Sequence, residues 1–446
     1  MTEDLTVRRG RGWVLPTLVL AIGLGLAFGR FALAGTGGGI AVARPAVAAD
    51  SSAQATVATL QGQLRATPDD PALLTKLGVS YLTRARETAD PSYYTKAADA
   101  LDRSQSLAPD ASLTLTGEGL LALSRHDFAG ALAWGTKAHA LDPAAPEPLG
   151  VVVDAHVELG QYADAATAAQ EMLDRRPSLA SLSRASYLRE INGDVPGAIT
   201  VMTQAAIAGA GSASDVAYVD TLLGDLRLGA GALPEAEAAY GQALQQVDAY
   251  PAADVGLAKV AAARGDLAGA AQRLEDVTAR LPLPATVALL GDVYQALGRQ
   301  ADAAAQYALV RSIEDLNRAN GVAVDFELAH FEADHARDPG ADAATVVDLA
   351  QTAVAQRPTV FAEDTLGWAL RQAGRPADAL PHARAAVRLG TADALLWYHL
   401  AATEADLGQL DAARTDLARA LAVNPAVSVR DVRPARELAA HLGLAA

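Results

Sequence analysis

The chain contains no cysteine. Disulfides, thiolate metal sites, cysteine nucleophiles and a lipidated N-terminal cysteine are therefore all excluded. Lysine is nearly absent as well, with four Lys against thirty-two Arg. That imbalance points to a GC-rich coding sequence more than to a physical design. Basic charge is in deficit overall, and the net charge is −16. A general nucleic-acid binder needs a basic stripe to neutralise phosphates, so this charge argues against one. Catalytic spellings are missing too: there is no phosphate loop G-x-x-x-x-G-K-[ST], no H-E-x-x-H, no G-x-S-x-G and no EF-hand loop. The glycines of 23–29 lie inside an apolar run and not between a strand and a helix. Aromatic residues make up only 5% of a chain that is 51% apolar. Alanine fills the difference, and its helix propensity and small side chain favour closely packed helices over sheets.

The N-terminus is organised differently from the rest. Residues 13–34 carry one charge, Arg30. As a helix they would span roughly 33 Å, the hydrocarbon thickness of a bilayer. Arg8, Arg9 and Arg11 precede the run, which puts residues 1–12 on the cytoplasmic side and everything beyond residue 34 outside. A cleaved signal peptide is the alternative, with Ala-Val-Ala at 46–48 before the cut. Either reading exports the remainder. The Gly-, Ala- and Pro-rich stretch 35–51 reads as a flexible linker.

Beyond the linker the sequence repeats itself. "ELGQYADAATAAQEMLDRRP" at 158–177 returns as "ARGDLAGAAQRLEDVTARLP" at 263–282 and as "DLGQLDAARTDLARALAVNP" at 406–425. Pro109, Pro143 and Pro177 recur every 34 residues, as do Gly231 and Gly265, Ala131 and Ala165, and Gly374 and Gly408. In 394–427, Trp397, Leu400 and Ala401 precede Gly408, Ala413, Leu417, Ala420 and Pro425. Period and pattern together resemble the tetratricopeptide repeat. The glycine allows positive φ between two antiparallel helices, the alanine lets them approach closely, and the proline ends the pair.

The resemblance implies an all-α fold: a right-handed α-solenoid superhelix of about ten helix hairpins behind one N-terminal transmembrane helix at 13–34. Ten units start near Pro71, Ser112, Pro146, Leu179, Ala217, Pro251, Pro284, Glu327, Val360 and Ala394, within an array over 52–427. Residues 428–446 read as a C-terminal capping helix. A longer connection is expected around 313–326, and the eighth unit lacks the turn glycine. One hairpin cannot bury its own apolar face, so hairpins stack into a superhelix and an elongated particle is expected.

In tetratricopeptide arrays the first helix of each unit lines the concave groove. The corresponding positions here supply acids early in the array, at Glu147, Asp154, Glu158, Glu190, Asp225 and Asp292. Late in the array they supply the aromatics Phe331, Phe361, Trp368 and Tyr398, with Arg371 and His335 nearby and Tyr187 and Tyr218 in between. Aromatics in a concave wall can anchor a peptide, and they can equally fill gaps between Ala-rich helices. Trp368 is the residue expected to present an open binding face. Carboxylate-clamp positions of chaperone-tail binders are occupied here by Thr75, Val79, Thr116 and Leu120, which excludes that activity.

His330 and His335 in "HFEADH" are five residues apart and diverge on a helix, so no metal is expected there. No cofactor, small-molecule substrate or enzymatic activity is expected. The expected protein is bacterial: a membrane-tethered extracytoplasmic scaffold that binds a protein or peptide in its groove, serving envelope assembly, secretion or chaperoning. The alternative is a maturation factor for a cytochrome or a metal-transport system.

Overall fold

Seven turn glycines set the architecture. Gly160, Gly193, Gly231, Gly265, Gly298, Gly374 and Gly408 all have φ between 68° and 86°, the left-handed region where a side chain would be strained. Each ends a helix in the same way. Gly160 N–H donates to Val157 O and Gln161 N–H to His156 O, which satisfies carbonyls the helix leaves open. The next helix starts at once, and in three units an aspartate caps it. Asp127, Asp194 and Asp266 accept from the amides of Gly130, Gly197 and Gly269, each cap contributing about 1 kcal/mol.

The computed structural model describes residues 53–336 and 342–444. Among these residues regular structure is entirely helical, in 22 helices without a strand. Twenty of them form ten antiparallel hairpins whose first helices begin at Pro71, Ser112, Glu147, Leu179, Ala213, Pro251, Pro284, Asp325, Val360 and Ala394. A lone helix, Ala53–Ala66, precedes the hairpins, and Val432–His441 follows them. The transmembrane or signal segment expected at 13–34 and its linker lie outside the described residues. No described helix is long and apolar enough to cross a membrane. The connection expected around 313–326 is instead mostly helix. Gln300–Ala319 runs on for 20 residues before Gly321, at φ 81°, ends it.

Alanine does what its size allows. Ala131, Ala165, Ala198, Ala236, Ala270, Ala379 and Ala413, on seven of the ten second helices, are fully buried. Two units refine the contact with a tyrosine. The Tyr240 ring is fully buried between Gly224 and Gly256, where an added Cβ would sit 2.4 and 2.3 Å from it. Its hydroxyl donates to Asp225 at 2.7 Å. Tyr307 repeats the device against Gly291 and donates to Asp292 at 2.9 Å.

The array also makes contacts that an open solenoid lacks. The turn of unit n meets the segment leading into unit n+6 three times in succession, and the turn of unit five meets the segment leading into the C-terminal helix. His126 donates to Ala323 O at 2.7 Å, and the Val360 amide donates to the Tyr162 hydroxyl at 3.0 Å. Thr391 donates to Ile191 O, and Asn424 Nδ2 donates to Leu228 O at 2.9 Å. Backbone meets backbone along this seam. A Cβ on Gly160 would fall 2.4 Å from Pro358 O, and one on Gly193 would fall 2.5 Å from Gly390 O. The superhelix therefore completes a turn and closes on itself, through contacts that stacking of neighbouring hairpins alone does not make. Small rotations between hairpins accumulate until turn and segment touch.

A buried charge cluster reinforces the seam. Arg357, 4% exposed, pairs with Glu158 from the facing turn and with Glu327 at 2.8 Å. Its guanidinium lies 4.7 Å from the Phe128 ring centre and 4.4 Å from that of Phe326. His126 stands 3.5 Å from Glu327. Burial opposes charge on both, yet the pairing prevails: Glu327 is held well below the ordinary carboxylate range by His126 and Arg357, and His126 is held above its ordinary value by Glu327. His126 also takes the place of the turn glycine in its unit, at φ 61°.

Candidate binding chamber

Closing one superhelical turn encloses space. A cavity of about 1390 Å³ lies inside, walled mainly by first helices from 179–191 to 394–406, by the end of the second helix Gln300–Ala319, by residues 85–94 and by the C-terminal stretch 424–441. First helices face it because their opposite side packs on their own second helices, the geometry that the alanines and glycines impose. Among the described lining residues, the array's wall carries eight carboxylates and four Lys or Arg side chains, so the wall is acidic.

Six of the eight site residues expected from the sequence line this chamber: Tyr218, Phe331, His335, Trp368, Arg371 and Tyr398. Phe361 and Tyr187 do not. Phe361 is buried in the core formed by residues 326–442, and Tyr187 borders a smaller cleft beside Arg184. The expectation of an open Trp368 face is corrected. Trp368 is 5% exposed, its ring stacked on His399 with centres 3.7 Å apart and planes 11° apart. The Arg371 guanidinium lies 4.8 Å over the same indole while pairing with Asp406 at 2.9 Å. Tyr398 leans on Trp368 at 5.9 Å. These aromatics stiffen the wall between Ala-rich helices. Tyr218 is half-buried, and burial pushes its phenol up to about 12.

The acids divide. Glu147 sits on the surface with Arg176. Asp154 receives both arms of Arg184, at 2.8 and 2.6 Å, and burial still pushes its carboxyl up to about 6. Glu158 belongs to the seam. Glu190, Asp225 and Asp292 line the chamber.

Asp292 is the centre of the most structured part of the wall. It accepts from Tyr307 and lies 3.2 Å from His335 Nε2. The other His335 nitrogen donates to Phe331 O at 2.6 Å. Both ring nitrogens thus face acceptors, and an imidazolium satisfies both at once. Burial disfavours this charge, but Asp292 outweighs it and holds His335 above its ordinary value. Asp292 is in turn lowered: burial acts upward, and His335, Arg430 and Tyr307 outweigh it. His330, by contrast, faces Thr365 and Asp334. The two histidines turn to different partners, as their spacing implies.

Sequence reasoning passed over Arg430 and Gln295. Arg430 reaches back from beyond the tenth hairpin to donate to Gln295 at 2.8 Å, to Asp292 at 3.3 Å and to the Asp334 carbonyl at 2.8 Å. Nothing in the local pattern "NPAVSVRDV" signals a contact 138 residues away. The assembled wall presents hydrogen-bond acceptors beside apolar side chains.

Residues 153–213 and 365–428 match the tetratricopeptide repeat family model. None of the curated proteins matches the sequence. Among solved structures, the chain is similar to the APC/C hetero-tetramer Cut9–Hcn1, with 13% identity over 87% of this chain and 93% of that one and a TM-score of 0.40. It is similar to the human IFIT1 dimer with PPP-AAAA, at 12% identity over 76% and 78% of the two chains and a TM-score of 0.47. A tetratricopeptide repeat protein from Parabacteroides merdae aligns at 17% identity over 55% of this chain and 98% of that one, with a TM-score of 0.40.

Proposed function

We propose, for a chain that belongs to the tetratricopeptide repeat family, that the chamber inside the closed superhelical turn is a docking surface for a segment of a partner protein. The observation that carries this is the chamber itself: about 1390 Å³ walled mainly by the first helices of successive hairpins and closed by the stretch 424–441. Its acidic wall would repel a phosphate backbone, which favours polypeptide over nucleic acid. Preformed, largely rigid walls limit the ordering cost of binding to that of the incoming segment. The chamber acts by holding and presenting, with no step of chemistry assigned to its side chains.

The reading extends to where the scaffold works. Residues 13–34 tether it to a membrane, Arg8, Arg9 and Arg11 keep the N-terminus cytoplasmic, and the array lies outside, where it serves envelope assembly, secretion or chaperoning. Two measurements test this. A topology reporter fused after Ala446 is expected to be active only outside the cytoplasm, and activity inside overturns the placement. Ala262→Arg, which fills part of the chamber, is expected to abolish partner capture by the full chain, whereas Ile207→Arg, 75% exposed and outside the chamber lining, leaves capture intact. Equal effects overturn the docking assignment.

A further inference from the structure

The C-terminal stretch behaves unlike a cap alone. Its helix Val432–His441 docks Ala435 and Ala439 on the last core, as a cap does. The residues before that helix take another course. Asn424 bonds to Leu228 O, Val429 packs on the core formed by residues 255–331, and Arg430 inserts between units seven and eight. Residues 424–431 therefore cross the chamber wall as a non-helical strap with an arginine at its tip.

The receiving groups are positioned by contacts within the array itself. Tyr307 and His335 fix Asp292 from within the array, and Gln295 lies within 2.9 Å of the Tyr307 hydroxyl. The Asp334 carbonyl accepts the second guanidinium nitrogen. Charge also fits. The array's wall is acidic, while the stretch 424–441 brings Arg430, Arg433 and Arg436 against Asp431 and Glu437. The strap itself is held under strain: Val427, a β-branched residue, has φ 38°.

We propose that Asp292, Gln295, the Tyr307 hydroxyl and the Asp334 carbonyl form a guanidinium-binding subsite, filled in cis by Arg430 and in trans by an arginine within an extended segment of a partner protein. This rests on the chamber being the partner-docking surface and names its specificity and its regulation. The strap is an internal competitor: a partner must displace Arg430, and the strain at Val427 favours release. A planar fork matches these acceptors better than an ammonium point charge does, so arginine is selected over lysine.

The test uses the full chain and a fluorescent peptide of its own residues 424–432, followed by anisotropy. Val429→Ser/Arg430→Ala removes the two strap anchors nearest the subsite and is expected to bind the peptide at least about tenfold more tightly than the unmodified chain, a difference of about 1.4 kcal/mol. Adding Asp292→Asn is expected to abolish the gain, and a peptide with citrulline at position 430 is expected to show none. Equal affinity for both proteins, or equal binding of the citrulline peptide, overturns the subsite. Should the double variant unfold, Asp292→Asn in the otherwise unmodified chain decides. Amide exchange across 426–432 is then expected to accelerate at least about tenfold while the hairpins stay protected, and unchanged exchange overturns the proposal. Partner capture sensitive to Ala262→Arg together with flat peptide binding removes the arginine subsite and leaves the docking reading standing. A peptide gain with capture insensitive to Ala262→Arg does the reverse.

Discussion

Removing the Arg357 side chain tests the closed turn. Arg357 is 4% exposed and neutralises Glu158, 1% exposed, and Glu327, 14% exposed, across the seam. Arg357→Ala leaves both carboxylates in a site with little water, and breaking a buried pair from one side costs about 3–5 kcal/mol. Contacts with the Phe128 and Phe326 rings are lost as well, and a desolvated cation–π contact contributes up to about 2 kcal/mol. These terms overlap, so about 3–5 kcal/mol is the expected total. Hairpins are held by their neighbours, so the seam opens before any hairpin melts. Circular dichroism is expected to show unchanged helicity, and small-angle scattering an increased radius of gyration. Replacing the whole cluster with apolar groups, as Glu158→Leu/Glu327→Leu/Arg357→Met, is expected to restore most of the compactness because no buried charge is left alone. An Arg357→Ala protein with unchanged scattering and an unchanged urea midpoint would refute the reasoning.

Three further outcomes follow from the same contacts. The seam is expected to be firmest between about pH 4.5 and 6.5. Glu327, held below its ordinary 4.5, stabilises above that value and loses its contribution as pH falls through its lower folded value; His126, held above 6.5, stabilises fully below that and loses its contribution as pH rises. Glu314, pushed up to about 7 by burial and by Glu327, costs stability progressively as pH rises from its ordinary 4.5 to about 7, so it tilts that window toward its acid side. Thermal midpoints across pH 4–9 check this, and His126→Gln is expected to flatten the alkaline limb. Trp368→Ala is expected to lose about 3–5 kcal/mol in urea denaturation, since the indole is packed on His399; an unchanged midpoint would return it to the role of an open anchor. Gly224→Ala places a Cβ 2.4 Å from the Tyr240 ring and is expected to cost about 1–3 kcal/mol by the same measurement.

Much of the fold is local, and local features are legible. A glycine at positive φ, an aspartate cap and an alanine at the helix crossing each act within a few residues, and their spacing places the hairpins. First helices begin at Ala213 and Asp325, four and two residues before the starts read from spacing, because their leading residues continue the helix. Residues 337–341, between the two helices of unit eight, lie outside the described residues. The seam is not local. It depends on rotations summed over six hairpins, and Arg357 occupies the same pre-proline position as Arg176, which instead pairs at the surface with Glu147. The packing of Trp368 is hidden from its helix position for a related reason. Its helix position does line the interior, but His399 on the next first helix covers the ring. Of the acids, Asp292 and Asp225 face the chamber and also anchor tyrosines from behind, a double use that a list of groove positions does not reveal.

The most direct test of the chamber is site-specific photo-crosslinking of the full chain in its native cells. A crosslinking residue replaces Leu289, which lines the chamber, or Leu316, which is 52% exposed and outside the chamber lining. A partner that docks inside gives a covalent adduct from position 289 and none from 316, and Ala262→Arg abolishes it. Adducts from 316 with none from 289 would contradict the chamber as the binding surface.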